Sequence, residues 1–322
     1  MPPMNRKLSS IPTPFLASTL LAAVAVLALP ACKKSAEPTG TAPEPTRGEP
    51  KAAPADAAEG QKLHAAIECL NWLSANVFEI RDRYLQGVDP KTGPSGSKKP
   101  LLMGLRSIDP CVRDVKEAGA IKPAVAPLDA ASVGYVSALE GFEKTYNELK
   151  GYYAKDGQLD DKGQKGRDLH PKLMDGFKTF AGAHRELSTA VQTLNRRRRE
   201  TKLAAREKAE GRNLAVIMDT MMLEAETLVD MATSNSVEVG ALDEQIAKTD
   251  KLVDEVDAYA GAHKDELKQF GSMGNIKNYD KTFLAASKAV ARKLRGKDKP
   301  TNDEYENVSK QYNSLVTNYN NH

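Results

Sequence analysis

Leu63-His64-Ala65-Ala66-Ile67-Glu68-Cys69-Leu70-Asn71-Trp72-Leu73-Ser74-Ala75-Asn76-Val77-Phe78-Glu79-Ile80-Arg81-Asp82-Arg83-Tyr84 is the stretch whose reading decides the fold. Leu63, Ile67, Leu70, Leu73, Val77, Ile80 and Tyr84 recur at steps of three and four, which places them on one face of a helix. The same rhythm returns further on. Leu242, Ile246, Thr249, Val253, Val256, Ala260, His263, Leu267 and Phe270 alternate steps of four and three, a coiled-coil-like spacing held over four heptads. Further helices are predicted over 127–155, 171–210, 214–234, 278–294 and 302–319, with a break at Gly211 and Asn213. Asp109-Pro110 reads as an N-cap followed by a first-turn proline, opening a short helix that carries Cys111. No stretch alternates with period two. The predicted fold is all-α, an elongated bundle of long antiparallel helices.

Composition agrees. The 322 residues are 6% aromatic, 40% hydrophobic and 28% charged, which disfavours a β-sandwich or barrel. A mean hydropathy of −0.50 excludes a multispanning membrane protein. The net charge of +3 is too balanced for a dedicated nucleic-acid binder.

The first residues read as an address. Arg6 and Lys7 precede an uncharged run from Phe15 to Leu29, which closes on Leu29-Pro30-Ala31-Cys32. That run is shorter than the roughly 20 residues of a spanning helix and has secretory-signal form. Leu and Ala at −3 and −1 before a Cys resemble the bacterial lipobox, so residues 1–31 are expected to be removed and Cys32 to carry lipid. Loss of Arg6 and Lys7 takes the charge from +3 to +1. Lys33-Lys34 follows, without the Asp that marks inner-membrane retention in enteric bacteria, which points to the periplasmic face of the outer membrane. Residues 33–58, rich in Pro and Ala, have no apolar period and read as a tether, with one helical domain over 59–322. Cys69 and Cys111 then remain in an oxidising compartment and most simply form one disulfide, two free or metal-binding thiols being the other reading.

Glu68-Cys69-Leu70-Asn71, then Arg83-Tyr84, then Val88-Asp89 and Gly93-Pro94, resemble the YiiG-type family of bacterial lipoproteins. In that family a Glu-Cys-x-Asn helix precedes an Arg-Tyr and a Val-Asp…Gly-Pro loop. The resemblance implies the envelope address, the helical fold and the Cys69–Cys111 pair. It supplies no reaction, since the family's function is unknown.

Chemical motifs are sparse. Phosphate-binding glycine loops, nucleophile elbows and His-Glu-x-x-His helices are absent, and the five histidines suggest no triad. Gly261-Ala262-His263-Lys264-Asp265-Glu266 resembles the Gly-x-His-x-x-Glu pattern of imelysin-like helical lipoproteins, which are linked to iron. His263 and Glu266, three apart on a helix, could share a metal, although His263 also lies on the apolar stripe, as a buried histidine would. Met218, Met221 and Met222, with Met231 beyond, suit either Cu(I) or core packing among aliphatics. Arg196-Arg197-Arg198-Arg199, extended by Lys202, reads as a solvated helix or as a contact for anionic lipid head groups, cell wall or another envelope protein. Phe180-Ala181-Gly182-Ala183-His184 echoes Tyr259-Ala260-Gly261-Ala262-His263, either a duplication or a coincidence of composition. The expected function is a lipid-anchored, non-enzymatic binding or structural module with no cofactor beyond its lipid. A metal-handling protein for iron or copper is the alternative, and a cell-wall enzyme would need a carboxylate pair that spacing does not identify.

Overall fold

The computed structural model describes residues 54–320 apart from 97, 235 and 265–272, and excepting the side chains of 54, 271–277 and 279. The segment read as a signal, Cys32 and the stretch read as a tether as far as residue 53 lie outside the described residues, as do Glu266, Leu267 and Phe270. What is described is all-α. The helices are α1 (Pro54–Leu85), α2 (Asp109–Ala120), α3 (Ala126–Ala154), α4 (Gly157–Asp160), α5 (Gln164–Glu210), α6 (Leu214–Ala232), α7 (Val239–Ala262), α8 (Met273–Arg295) and α9 (Asn302–Asn320). Among the described residues no helix is long and apolar enough to cross a membrane. Residues before Glu224 form one compact unit and those from Glu224 a second, the division falling within α6.

In the first unit the α1 stripe is buried along its whole length, from Leu63 to Tyr84. It packs on α5, which also takes α3. Phe142 of α3 meets Phe177 of α5 at 5.1 Å between ring centroids, and Tyr135 meets Phe180 at 5.4 Å, so numbers fall on one helix as they rise on the other. These two helices are antiparallel. So are α1 and α5, because Phe78 sits 5.4 Å from Phe180 while Arg198 reaches back to Asp56. It follows that α1 and α3 run parallel. Lys62 bonds Asp129 and Ser74 bonds Tyr135, numbers rising together. A hairpin cannot join parallel helices, and the chain between them instead spends itself on a loop, an extended strap and α2.

Several helix boundaries differ from the sequence reading. Helix α1 starts at Pro54, inside the stretch read as tether, because a proline suits the first helical position and Arg198 bonds both the carboxylate and the carbonyl of Asp56. Helix α5 starts at Gln164 and not at Pro171, which is tolerated inside it. There the Asp161 carboxylate accepts N–H bonds from Gly163, Gln164 and Lys165, and Gly166 lies against the Tyr153 hydroxyl where any Cβ would collide. Tertiary contact thus makes helix of a glycine-rich run. Asp109 is the first helical residue of α2, with Ile108 in the cap position. The break near residue 211 is as expected: Gly211 adopts φ +76°, and the Asn213 side chain accepts the Val216 N–H at the start of α6.

In the second unit α7 buries Leu242, Ile246, Thr249, Val253, Val256 and Ala260. Helix α8 lies antiparallel beside it. Asp243 pairs with Arg295 at 3.4 Å, Asp250 with Lys288 at 2.8 Å and Asp257 with Lys281 at 3.3 Å, a ladder stepping seven residues along each helix. Helix α9 folds back on α8 through Phe283 and Tyr312 and through Lys293 and Glu304. The Lys293 ammonium and the Thr301 N–H draw the Glu304 carboxyl down to about 2.

Two consequences can be measured in the first unit. Cys69 and Cys111 are joined as a disulfide across a sequence separation of 42, which ties α2 to α1. Removing it as the double alanine variant is expected to cost about 4 kcal/mol on the chain-entropy model, read as a drop in denaturation midpoint. The Lys62 ammonium, buried at the foot of α1, meets both oxygens of Asp129 at 2.8 Å. Asp129→Ala is expected to cost about 3 kcal/mol or more because it strands a buried charge, whereas Lys62→Met with Asp129→Leu recovers most of that loss, short of the Val125 N–H bond that the carboxylate also accepts. A double variant no more stable than Asp129→Ala alone would contradict that account.

Candidate functional site

A cleft of about 400 Å³ opens in the first unit where α1, α2 and α3 meet. Small side chains make the room. Ala65 and Ala66 of α1, Ala118 and Gly119 of α2, and Ser132 and Ser137 of α3 leave a slot that larger residues would close. Val115, Leu128 and Val136 supply apolar walls, and Val133 stands 63% exposed at the mouth. The floor carries the Lys62–Asp129 pair, whose carboxylate also accepts the Val125 N–H at 2.9 Å. Lys116 and Glu140 face each other at 3.9 Å on the rim. Both charge pairs are internally balanced, so the cleft is apolar in its walls and close to neutral overall. Such a volume lies within the ordinary range of small-ligand sites.

Two histidines that sequence reasoning left without roles are structural ties. His184 of α5 is buried, and its Nδ1 lies 3.1 Å from Ser74 Oγ, which in turn lies 3.0 Å from the Tyr135 hydroxyl. One hydroxyl thereby links α1, α3 and α5. Burial, helped by the Arg185 charge, lowers the His184 pKa below the usual histidine value. His170 lies one level further along. Its Nδ1 meets the Tyr84 hydroxyl at 2.9 Å and its Nε2 lies 3.1 Å from the Pro90 carbonyl. Gly93, at φ +81°, sits directly over the His170 ring where a Cβ would be crowded. The Arg83-Tyr84 and Val88-Asp89…Gly93-Pro94 words therefore converge on one histidine, and Asp89 shapes the loop by accepting the Lys91 and Thr92 N–H groups. Asn76 pins the extended strap, donating to the Gly104 carbonyl and accepting the Arg106 N–H. The Tyr146 hydroxyl donates to the Met103 carbonyl at 2.7 Å, and burial pushes it up to about 12. A usable signal existed in the sequence, because Phe177, Phe180, His184, Leu187, Val191 and Leu194 already place His184 on an apolar stripe.

The residues singled out in the sequence fall in different places. Helix α7 ends at Ala262, and His263 is its exposed C-cap, with Nδ1 3.0 Å from the Tyr259 carbonyl and the ring stacked on Tyr259 at 4.0 Å. It is therefore not a buried stripe residue, and Glu266 lies outside the described residues. Among the described residues no three His, Cys, Asp or Glu side chains come together as a metal site. Met218, Met221 and Met222 are buried with Leu214 and Ile217, and Met231 is half-buried. The arginine run is partly spent on the chain itself. Arg196 pairs with Glu200, Arg197 with Glu59 and Arg198 with Asp56, so two of the four clamp the start of α1. Lys202 is exposed.

Comparison with known proteins yields the same kinship as the sequence words. The chain is 24% identical over 351 residues to the uncharacterized protein YiiG of Escherichia coli (strain K12), covering 95% of this chain and 98% of that one. No solved structure matches it. The model of the family described as "Protein of unknown function (DUF3829)" matches residues 57–321, nearly the whole helical part, and the chain belongs to that family.

Proposed function

We propose that this protein is a lipid-anchored, non-enzymatic binding module of the cell envelope, held through Cys32 at the periplasmic face of the outer membrane. The lipobox-like Leu29-Pro30-Ala31-Cys32 supports the anchor, and the Cys69–Cys111 bridge suits an oxidising compartment. The observation that carries the binding half is the cleft between α1, α2 and α3, with small residues on all three walls and its charges paired off. Such a slot favours a small, largely apolar ligand without net charge. Its affinity would come from burial, at ~25 cal/mol per Å² of apolar surface, with the polar groups of floor and rim fixing orientation.

Anchor and cleft are tested separately. Cys32→Ser is expected to move the protein from the membrane to the aqueous fraction in detergent partition, and retention in the membrane would refute the lipid anchor. For the cleft, the neutral fluorophore N-phenylnaphthylamine is expected to bind saturably to the purified protein. Gly119→Phe fills the mouth at a position where an added Cβ meets nothing within 4 Å, so it should leave the fold intact. About a tenfold loss of probe affinity in Gly119→Phe, ~1.4 kcal/mol, supports the cleft. Equal binding by the variant, or none by the wild type, removes it.

A further inference from the structure

Asp280 stands apart from every other acidic residue described in the second unit. It lies on the inward face of α8 at 1% exposure, and neither carboxylate oxygen has a hydrogen-bond partner. Buried polar groups in folded proteins are nearly always paired, and a bare carboxylate in such a place is costly. Among the described residues the neighbouring helices offer it no cation. From α7 comes Asp257, whose carboxylate takes the Lys281 ammonium at 3.3 Å, with Asp254 and Glu255 close by on the same helix. From α9, which packs on α8 through Phe283 and Tyr312, the titratable groups at this end are Tyr312 and Tyr319, and residues 313–318 carry no acid or base. Burial first and the Asp257 charge second push the Asp280 carboxyl up to about 7, and the Lys281 charge offsets only part of this.

We propose that Asp280 is a proton-operated latch between α7 and α8: as a neutral acid it lets the helices close over it, and as a carboxylate it loosens their packing at that level. The charge ladder confines the effect. Asp250–Lys288 and Asp243–Arg295 hold the same register further along whatever the state of Asp280, so opening is local to the end of the pair that carries it. The direction follows from linkage. A carboxyl whose folded value is raised stabilises the fold fully below the ordinary carboxyl range and loses that contribution as pH rises to about 7, with no further loss above. His184 in the first unit works in the opposite sense. Its lowered value costs stability as pH falls below the ordinary histidine range, which gives an internal contrast.

Hydrogen exchange of the full chain across pH 4.5 to 8.5, corrected for intrinsic exchange and read on peptides from α7 and α8, tests this directly. The opening constant of those peptides is expected to rise about tenfold per pH unit up to about 7 and then level, as for one linked proton. Asp280→Asn, which keeps the shape and cannot ionise, is expected to be flat and well protected throughout. Asp257→Asn should move the rise to lower pH by removing the charge that raises Asp280. Wild-type protection independent of pH, an undiminished slope in Asp280→Asn, or an unmoved window in Asp257→Asn overturns the latch.

Discussion

The first unit depends on one seam. Phe177, Phe180, His184, Leu187, Val191 and Leu194 recur along α5 at heptad steps, and all six are buried. Helix α5 runs 47 residues, about 70 Å at 1.5 Å per residue, and is long enough to offer that seam to two partners together. Both partners must lie antiparallel to it, so α1 and α3 are parallel to each other and need a long connection. The strap, α2 and the disulfide are consequences of that connection. Histidine in an apolar seam also has to satisfy its ring nitrogens. That requirement accounts for Ser74 among the buried α1 side chains and for the loop carbonyl of Pro90 over His170.

Much of this was legible in the sequence, and what was missed has a common cause. Every α1 stripe residue is buried, as the three-and-four spacing predicts, and the Gly211 break falls where the glycine and asparagine suggested. Local pattern sufficed there. Arg198 and Asp56 are separated by 142 positions and Ser74 and His184 by 110, so no periodicity could pair them. At the glycine-rich start of α5 local propensity yields to the Tyr153 hydroxyl above Gly166 and to the Asp161 cap. The two similar words around His184 and His263 teach the same lesson. One histidine is buried and bonded to Ser74, the other is an exposed helix cap on Tyr259, and identical neighbours did not decide which. The cleft too was invisible, since it arises from small residues on three helices with no spacing of their own.

In the second unit the charges do what apolar spacing alone cannot. A heptad stripe buries equally well after a slip of one heptad, and the energetic difference between registers is small. Three exposed ion pairs add little stability individually. Their value lies in repetition: a slip of one heptad leaves an end pair unmatched. Thr249 shows how little polarity the interior of this pair otherwise accepts, its buried hydroxyl being returned to the Gln245 carbonyl of its own helix. Asp280 is exceptional against that background.

A buried ion pair is weak evidence for stability, because apolar residues of similar size often serve as well. Parallel α1 and α3, however, share no tight turn to fix their relative height. Lys62–Asp129 and Ser74–Tyr135 fix it at two levels along the pair, and Cys69–Cys111 sets α2 against α1 between them. The slot lined by Ala66, Gly119 and Ser132 exists only at that height, since a slide of one helical turn would bring larger side chains into it. The polar groups buried in this unit are therefore the reason the cleft has a shape, and the apolar stripes are the reason the helices meet at all.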